Sequence, residues 1–357
     1  MQKKKTVFVG LSGGVDSSVT AALLLEQGYT VVGVYIRTWQ PDFIECTAKE
    51  DRLDAMRIAA TLGIPFLECD AEEEYKKSVA DYMIAEYRAG RTPNPDVMCN
   101  REIKFGVFLS FAMNRGADYI ATGHYARVLE TPDGFSLTTG VDTGKDQSYF
   151  LYRLTNTDLE RVLFPLGGYV KSDVRELAKK FKLPTAAKKD SQGVCMLGDL
   201  DIKQFLAHYI EPKRGDVLGE DGVVVGYHDG AVFLTLGERH GFTITAKTPN
   251  DAPYYIIAKD VEKNTVTVSQ KNTEGENSVL SKKEFTLSNV SWVREVPTVG
   301  KTYLAQIRYH GEYLSCSILS NDNRNAVVQF ETPVLVASGQ SIVFYEGEVC
   351  LGGGIVV

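Results

Sequence analysis

The segment Ser12-Gly13-Gly14-Val15-Asp16-Ser17-Ser18 concentrates groups able to hold a phosphate. Two adjacent glycines let the backbone bend tightly and approach a ligand. Helical spacing begins at the same place, so a helix N-terminus would offer unsatisfied N–H groups and a partial positive charge. Ser12, Ser17 and Ser18 add hydroxyl donors. The pattern is neither a Walker A loop nor a dinucleotide fingerprint, because both G-x-x-x-x-G-K-[ST] and G-x-G-x-x-G are missing. A plain glycine turn capped by Asp16 and Ser17 is the simpler alternative. Four polar groups around a double glycine exceed what a turn requires.

A second chemical cluster is Arg91-Thr92-Pro93-Asn94-Pro95-Asp96-Val97-Met98-Cys99-Asn100-Arg101-Glu102-Ile103-Lys104-Phe105. Two prolines fix an extended loop ahead of a helix. Asp96 and Cys99 are three apart, so both face one site where a helical turn begins there. A carboxylate beside a thiol can exchange its proton, although its charge alone raises the thiol pKa. Another thiol, Cys195, lies in Lys188-Lys189-Asp190-Ser191-Gln192-Gly193-Val194-Cys195, where glycine and polar neighbours point to a loop. Residues 171–189 just before it carry seven Lys or Arg against two acids. Such a run is either a solvated helix face or a basic surface that favours a thiolate and holds a phosphate backbone. Cys46, Cys69, Cys316 and Cys350 follow no pattern and are expected to be structural; no C-x-x-C pair or zinc spacing exists.

These groups need a scaffold, and the first two hundred residues alternate strand and helix patterns. Strand-like runs at 6–11, 29–36, 66–69 and 118–122 alternate with helical spacing at 17–27, 49–62, 73–88 and 102–115. Alternation of this kind predicts a doubly wound parallel sheet, with ligands at the carboxyl ends of its strands. Beyond Pro212 the pattern changes to short strands between turns, at 223–225, 231–236, 254–258, 265–268, 290–293, 303–308, 313–318, 326–330 and 341–345. Those predict two small β domains, the last a β-barrel. The expected division is a catalytic α/β domain at 1–210, a central β-rich domain at 211–277 and a barrel at 278–357. A net charge of −7 argues against a nonspecific nucleic-acid coat and leaves room for a local basic patch. No apolar run approaches a membrane span, and the N-terminus reads as neither signal nor transit peptide, so the expected compartment is the cytoplasm.

The loop at 10–17 resembles the pyrophosphate-binding (PP) loop of the N-type ATP pyrophosphatases, a HUP-like fold. Taken with the two cysteine segments, the chain resembles the tRNA-specific 2-thiouridylase family of the bacterial MnmA type over nearly its whole length. Further matching segments are Ala121-Thr122-Gly123-His124-Tyr125, Gly144-Lys145-Asp146-Gln147-Ser148, Phe164-Pro165-Leu166-Gly167 and Gly339-Gln340-Ser341. The resemblance implies Cys99 as nucleophile, Cys195 as persulfide carrier and Asp96 as acid/base. It implies ATP on Gly10, Leu11, Ser12, Gly13, Gly14, Val15, Asp16, Ser17, Ile36 and Gly123, with Asp16 holding magnesium. Asn94, Pro95 and Asp96 would touch the target base. Lys145, Asp146, Gln147, Arg308 and Tyr309 would contact tRNA, with His124 and Gln340 as further candidate contacts. The implied reaction adenylates C2 of the wobble uridine and replaces its oxygen with sulfur, giving 2-thiouridine, AMP and pyrophosphate. It calls for an outside persulfide donor, a cysteine desulfurase or sulfur-relay protein. An alternative keeps the thiolation but has Asp96, Cys99 and Cys195 hold an iron–sulfur cluster. The chain departs from the family pattern at Gln192 and Met196, and at Gly237-Glu238-Arg239-His240-Gly241-Phe242-Thr243-Ile244-Thr245, which is poorer in glycine and lacks a lysine.

Overall fold

Strand β1 (Thr6–Gly10) is buried through its middle residues, and Val7 and Val9 are completely covered. Burial on both faces is what a central parallel strand demands, and each such valine contributes roughly 1.5–3 kcal/mol. In the computed structural model, which describes residues 4–43, 48–189, 196, 201–245, 252–270, 281–322 and 324–357, this strand is the middle of a five-stranded sheet. Helix α1 (Val15–Glu26) follows it, then β2 (Thr30–Arg37), α2 (Ala48–Leu62) and β3 (Phe66–Asp70). The chain continues helically through α3 (Glu72–Tyr75), a π-type stretch Lys76–Asp81 and α4 (Tyr82–Arg88). After the proline loop come α5 (Pro95–Met98), a second π-type stretch Cys99–Val107 and α6 (Phe108–Met113), leading to β4 (Tyr119–Ala121).

The strand order is β3-β2-β1-β4 and then β7 (Val162–Leu163), all parallel. The order reverses between β1 and β4, so the carboxyl ends of those two strands form the crevice where a doubly wound sheet takes its ligand. The PP loop leaves β1 there, and Gly123-His124 leave β4 there. Between β4 and β7 lies a hairpin absent from the sequence expectations, β5 (Ala126–Thr131) and β6 (Gly134–Thr139). The domain closes with α7 (Asn156–Leu159), α8 (Lys171–Lys180) and α9 (Ile202–Ala207).

The central domain is a five-stranded sheet of β8 (Gly215–Leu218), β9 (Val224–His228), β10 (Phe242–Ile244), β11 (Tyr255–Asp260) and β12 (Thr265–Ser269), in the order β10-β9-β8-β12-β11. The expected strand at 231–236 is instead a single 3-10 turn, Ala231–Phe233: Ala231 and the following Leu234 pack into the core of the sheet, while Phe233 packs against residues of α4 and α9. The last domain is a closed six-stranded barrel of β13 (Lys282–Trp292), β14 (Thr302–Gln306), β15 (Leu314–Asn321), β16 (Ala326–Val334), β17 (Ser341–Glu346) and β18 (Val349–Val356), closed by the β13–β18 pairing. The β5–β6 hairpin adds to it: β6 pairs with β18 at Leu137 opposite Cys350, giving one continuous eight-stranded sheet. No helix among the described residues is long and apolar enough to cross a membrane.

Candidate functional site

Gly13 adopts φ +74°, and a Cβ there would stand 2.6 Å from the Asp51 carbonyl oxygen at the start of α2. Only glycine fits both the conformation and the space. Its turn lets the Ser12 N–H donate to Ser17 Oγ at 3.2 Å, while Ser17 Oγ donates to the Gly14 carbonyl at 3.2 Å. Gly14 is the N-cap of helix α1 and supplies no side-chain cap, so the first N–H groups of the helix have no partner from it. This is a cradle shaped for an anion such as a phosphate. Gly10, Leu11 and Val15 flank the loop along the chain, and Ile36, buried near the end of β2, stands 3.8 Å from where a Gly10 Cβ would be. Gly123 lies against the far side of the loop, where a Cβ would be 2.9 Å from the Ser17 nitrogen.

Asp16, the expected magnesium ligand, is engaged by two groups the sequence reading did not single out. Lys171 Nζ, at the start of α8, donates to both carboxylate oxygens at 2.7 and 2.8 Å, and the Tyr125 hydroxyl donates to Oδ1 at 2.8 Å. Lys171 is well covered by protein, with 16% of its side chain exposed. The signal for it lay in the basic run at 171–189, which the fold largely spends on internal contacts. Lys179 pairs with Glu176, Lys180 with Glu26, and Lys188 with Asp51 and Asp54; Arg175 donates to the carbonyls of Ala186 and Lys188. Burial alone would lower the Lys188 pKa, but Asp54 and Asp51 outweigh it and the net shift is upward.

Cys99 is fully buried where α5 passes into the π-type stretch, within an apolar cluster that the α/β domain shares with barrel residues such as Val343 and Tyr345. π-type turns are rare and concentrate at functional sites. Asn94 caps α5 by accepting from the Val97 N–H at 3.3 Å, and Pro95 occupies the first helical position, where its missing N–H costs nothing. The same stretch carries Lys104, whose Nζ lies 3.4 Å from His124 Nε2, linking the thiol helix to the nucleotide cradle. His124 Nδ1 lies 2.7 Å from Thr122 Oγ1, and its ring is packed between Phe105 and Phe164 with centroids 5.8 Å from each. Complete burial, helped by the Lys104 charge, pushes its pKa well below 6.5, so the ring is neutral. It accepts from the Lys104 ammonium through Nε2 and donates to Thr122 through Nδ1.

Tyr309 comes from the barrel and reaches the same region. It packs on Phe150 with centroids 4.4 Å apart. Burial first, then the charges of Asp146, Asp96 and Asp142, raise its phenol to about 12. Arg308 beside it is exposed, and Lys145 is half-buried. Asp146 and Gln147 turn inward. Asp146 accepts from the Gly140 N–H at 2.8 Å and the Ser148 hydroxyl at 2.7 Å, and Gln147 Oε1 accepts from the Tyr125 N–H at 3.1 Å. Gln340 Nε2 donates to the Thr92 carbonyl at 2.7 Å. Cys195 lies outside the described residues, as does Cys46. Met196, directly after Cys195, packs against the cluster that contains Cys99, and its carbonyl accepts from Gln40 Nε2 at 2.8 Å. Cys69, Cys316 and Cys350 are buried, and that burial pushes their thiols up to about 11, 12 and 12.

Three family descriptions match the chain in sequence: a tRNA methyl transferase HUP domain at 5–199, a tRNA methyl transferase PRC-barrel domain at 203–270 and an aminomethyltransferase beta-barrel domain at 282–356. A curated relative from Bacillus subtilis, named tRNA-specific 2-thiouridylase MnmA, is 44% identical over 98% of this chain and 94% of its own length. The chain belongs to the tRNA-specific 2-thiouridylase family. A relative of the same name from Enterococcus faecalis is 44% identical over 99% of this chain and 95% of its own. A solved 4-thiouridine synthetase–RNA complex with bound ATP aligns only at TM-score 0.37 and 21% identity, covering 54% of this chain and 44% of that one. In the central segment at 237–245, the Glu238 carboxylate fills a local role: it accepts from the Thr235 N–H at 2.9 Å.

Proposed function

We propose that this enzyme is an ATP-dependent tRNA uridine 2-sulfurtransferase that places sulfur on C2 of the wobble uridine. The observation that carries the reading is the single chain of contacts from thiol to cradle. Cys99 opens a helical stretch whose Lys104 bonds His124, and the neighbouring Gly123 abuts Asp16 and Ser17. Methyl transfer, the activity in two of the family descriptions, needs no uncapped anion cradle beside a buried thiol. In this reading residues 1–210 carry the chemistry and the domains at 211–277 and 278–357 hold the RNA.

Attack of the uridine O2 on the α-phosphorus of ATP would break the α–β bridge, release pyrophosphate and turn a poor leaving group into AMP. The uncapped start of α1 and the hydroxyls of Ser12 and Ser17 would bind the phosphates, and Asp16 would hold magnesium with them. Sulfur would arrive as a Cys195 persulfide loaded by a cysteine desulfurase or sulfur-relay protein. Attack of the Cys99 thiolate on the Cys195-bound sulfur forms a Cys99–Cys195 disulfide and expels hydrosulfide. Hydrosulfide then attacks C2, and AMP departs with the original oxygen. Alternatively the terminal sulfur attacks C2 first and Cys99 cleaves the S–S bond afterwards. Both orders leave one disulfide, and two electrons from an outside thiol reductant restore the enzyme. Asp96, half-buried three residues before Cys99, would take its proton. Lys145, Arg308 and Tyr309 would meet the RNA near Asn94, Pro95 and Asp96.

The test is nucleoside analysis of tRNA from cells lacking the protein, complemented with wild type, Cys99→Ser or Cys195→Ser. Only the wild type should restore 2-thiouridine, and a single turnover without reductant should yield a linked Cys99–Cys195 peptide by mass spectrometry. Unchanged 2-thiouridine in the deletion would sink the assignment. Product without the linked peptide, together with stoichiometric iron in anaerobically purified protein, would replace the persulfide route by the cluster held by Asp96, Cys99 and Cys195.

A further inference from the structure

Thr92 is held from three directions. Its N–H donates to the Ser338 carbonyl at 2.8 Å, and its own carbonyl accepts from Gln340 Nε2 at 2.7 Å, so both backbone groups are taken by one turn of the barrel. That turn is fixed to the last barrel strand: the Gly339 N–H donates to the Val356 carbonyl at 2.9 Å, and the Val356 N–H to the Gln340 carbonyl at 2.8 Å. Between the two contacts sits Gly339, at φ +93°, where a Cβ would be 2.8–2.9 Å from the Thr92 backbone. From the central domain, Thr235 Oγ1 lies 3.1 Å from Thr92 Oγ1. Two residues earlier, Gly90 presses on Val261 of the same domain, at 2.7 Å from where its Cβ would be. Downstream, Pro93 and Pro95 are buried and have fixed φ, so the direction imposed at Thr92 passes with little slack to Asn94 and Asp96.

We infer that Thr92, gripped by Gln340 and Thr235, is the positioning residue of the catalytic loop: docking of the two β domains sets where Asn94, Asp96 and Cys99 stand. This rests on the reading that those residues act on the target base, and it goes beyond that reading by giving Gln340 a task inside the protein. Two bonds from the barrel and one from the central domain meet on one residue, four positions before the proposed acid/base. Movement of either β domain on RNA would therefore be delivered to the reacting groups through one peptide unit.

The experiment compares Gln340→Glu, which cannot donate to the Thr92 carbonyl, with Gln340→Lys, which can. Thr235→Val and Thr235→Ser form a second pair in which only serine keeps the hydroxyl. Losing a part-buried donor to a carbonyl, where it displaces the loop, corresponds to a drop in kcat on the order of tenfold. Gln340→Glu and Thr235→Val should show that drop while the Kd for tRNA stays within about twofold, with Gln340→Lys and Thr235→Ser recovering most of it. Hydrogen exchange in the peptide containing Thr92 should speed up by a similar factor in the first of each pair. A weakened tRNA Kd at unchanged kcat would overturn the inference and make Gln340 a direct RNA contact. Wild-type protection of Thr92 in Gln340→Glu and Thr235→Val would overturn it too. The exchange measurement needs no substrate, so it judges the clamp even if the wild type makes no 2-thiouridine, the outcome that would remove the proposed function instead.

Discussion

Removing the Lys171 ammonium should weaken nucleotide binding, and removing the Asp16 carboxylate should not, when both are measured without magnesium. With both present, the cradle holds one positive and one negative charge in contact at 2.7 and 2.8 Å. Lys171→Met leaves the carboxylate, so an arriving triphosphate meets a net charge of −1. Asp16→Asn leaves the ammonium, and the phosphates meet +1. A unit charge 4 Å from a phosphate oxygen is worth about 4 kcal/mol at an effective dielectric of 20. Asp16 keeps 31% of its side chain exposed, so screening reduces the effect to roughly 1–2 kcal/mol. That predicts ATP binding weaker by about 5–30-fold in Lys171→Met, and equal or tighter binding in Asp16→Asn, by calorimetry in EDTA. Adding magnesium should strengthen ATP binding in the wild type and leave Asp16→Asn with little of that gain and no pyrophosphate release. The Tyr125 hydroxyl still reaches the carboxylate in Lys171→Met, so the site should keep its shape. Shifts of the same sign in the two variants under EDTA would refute the charge arithmetic.

Burial holds His124 neutral, so the unfolded chain binds a proton at this position more readily than the folded one below pH 6.5. Its share of stability is complete above 6.5 and lost as pH falls, at about 1.4 kcal/mol per unit. Chemical denaturation at pH 7.5 and 5.5 should therefore show a steeper loss in wild type than in His124→Asn, and parallel losses would contradict a neutral ring. Gly13→Ala should abolish nucleotide binding while the barrel unfolds normally, since the added carbon stands 2.6 Å from the Asp51 oxygen; equilibrium dialysis with ATP is the check, and wild-type affinity would mean that the loop reshapes freely.

The α/β half was legible because its signals are local. Apolar runs at 6–11 and 29–36 became β1 and β2 with ends moved by a residue or so. The double glycine announced its turn, which Gly13 makes with positive φ. What escaped the sequence was set by partners far along the chain. Strand β18, with Leu351-Gly352-Gly353-Gly354, was not among the expected strands; its glycines lie at the barrel seam, where a Cβ on Gly352 would stand 2.1 Å from the Ser291 oxygen. Apolar residues at 231–236 read as a strand, and nothing nearby told that Ala231 and Leu234 fill a sheet already made by others while Phe233 packs against α4 and α9. The basic run at 171–189 was visible, but its acidic partners Asp16, Glu26, Asp51 and Asp54 lie more than a hundred positions away. The proposed dependence of the loop carrying Asp96 and Cys99 on Thr235 and Gln340 leaves no local mark in the sequence, because both partners lie more than a hundred positions away.

The pairing of the β5–β6 hairpin with the barrel bears on the order in which the chain is made. Strands β5 and β6 leave the ribosome about two hundred residues before β18, and until then the outer edge of β6 carries unpaired backbone groups at Leu137 and Thr138. An open edge of this kind invites pairing with another nascent chain. The barrel is likewise an open sheet until the same strand arrives, because β18 joins β17 to β13 and also covers β6. One late eight-residue strand thus ends two exposures in a single event. Ribosome-bound chains halted before it should be the aggregation-prone species of this protein, whereas a full-length chain has neither edge to offer.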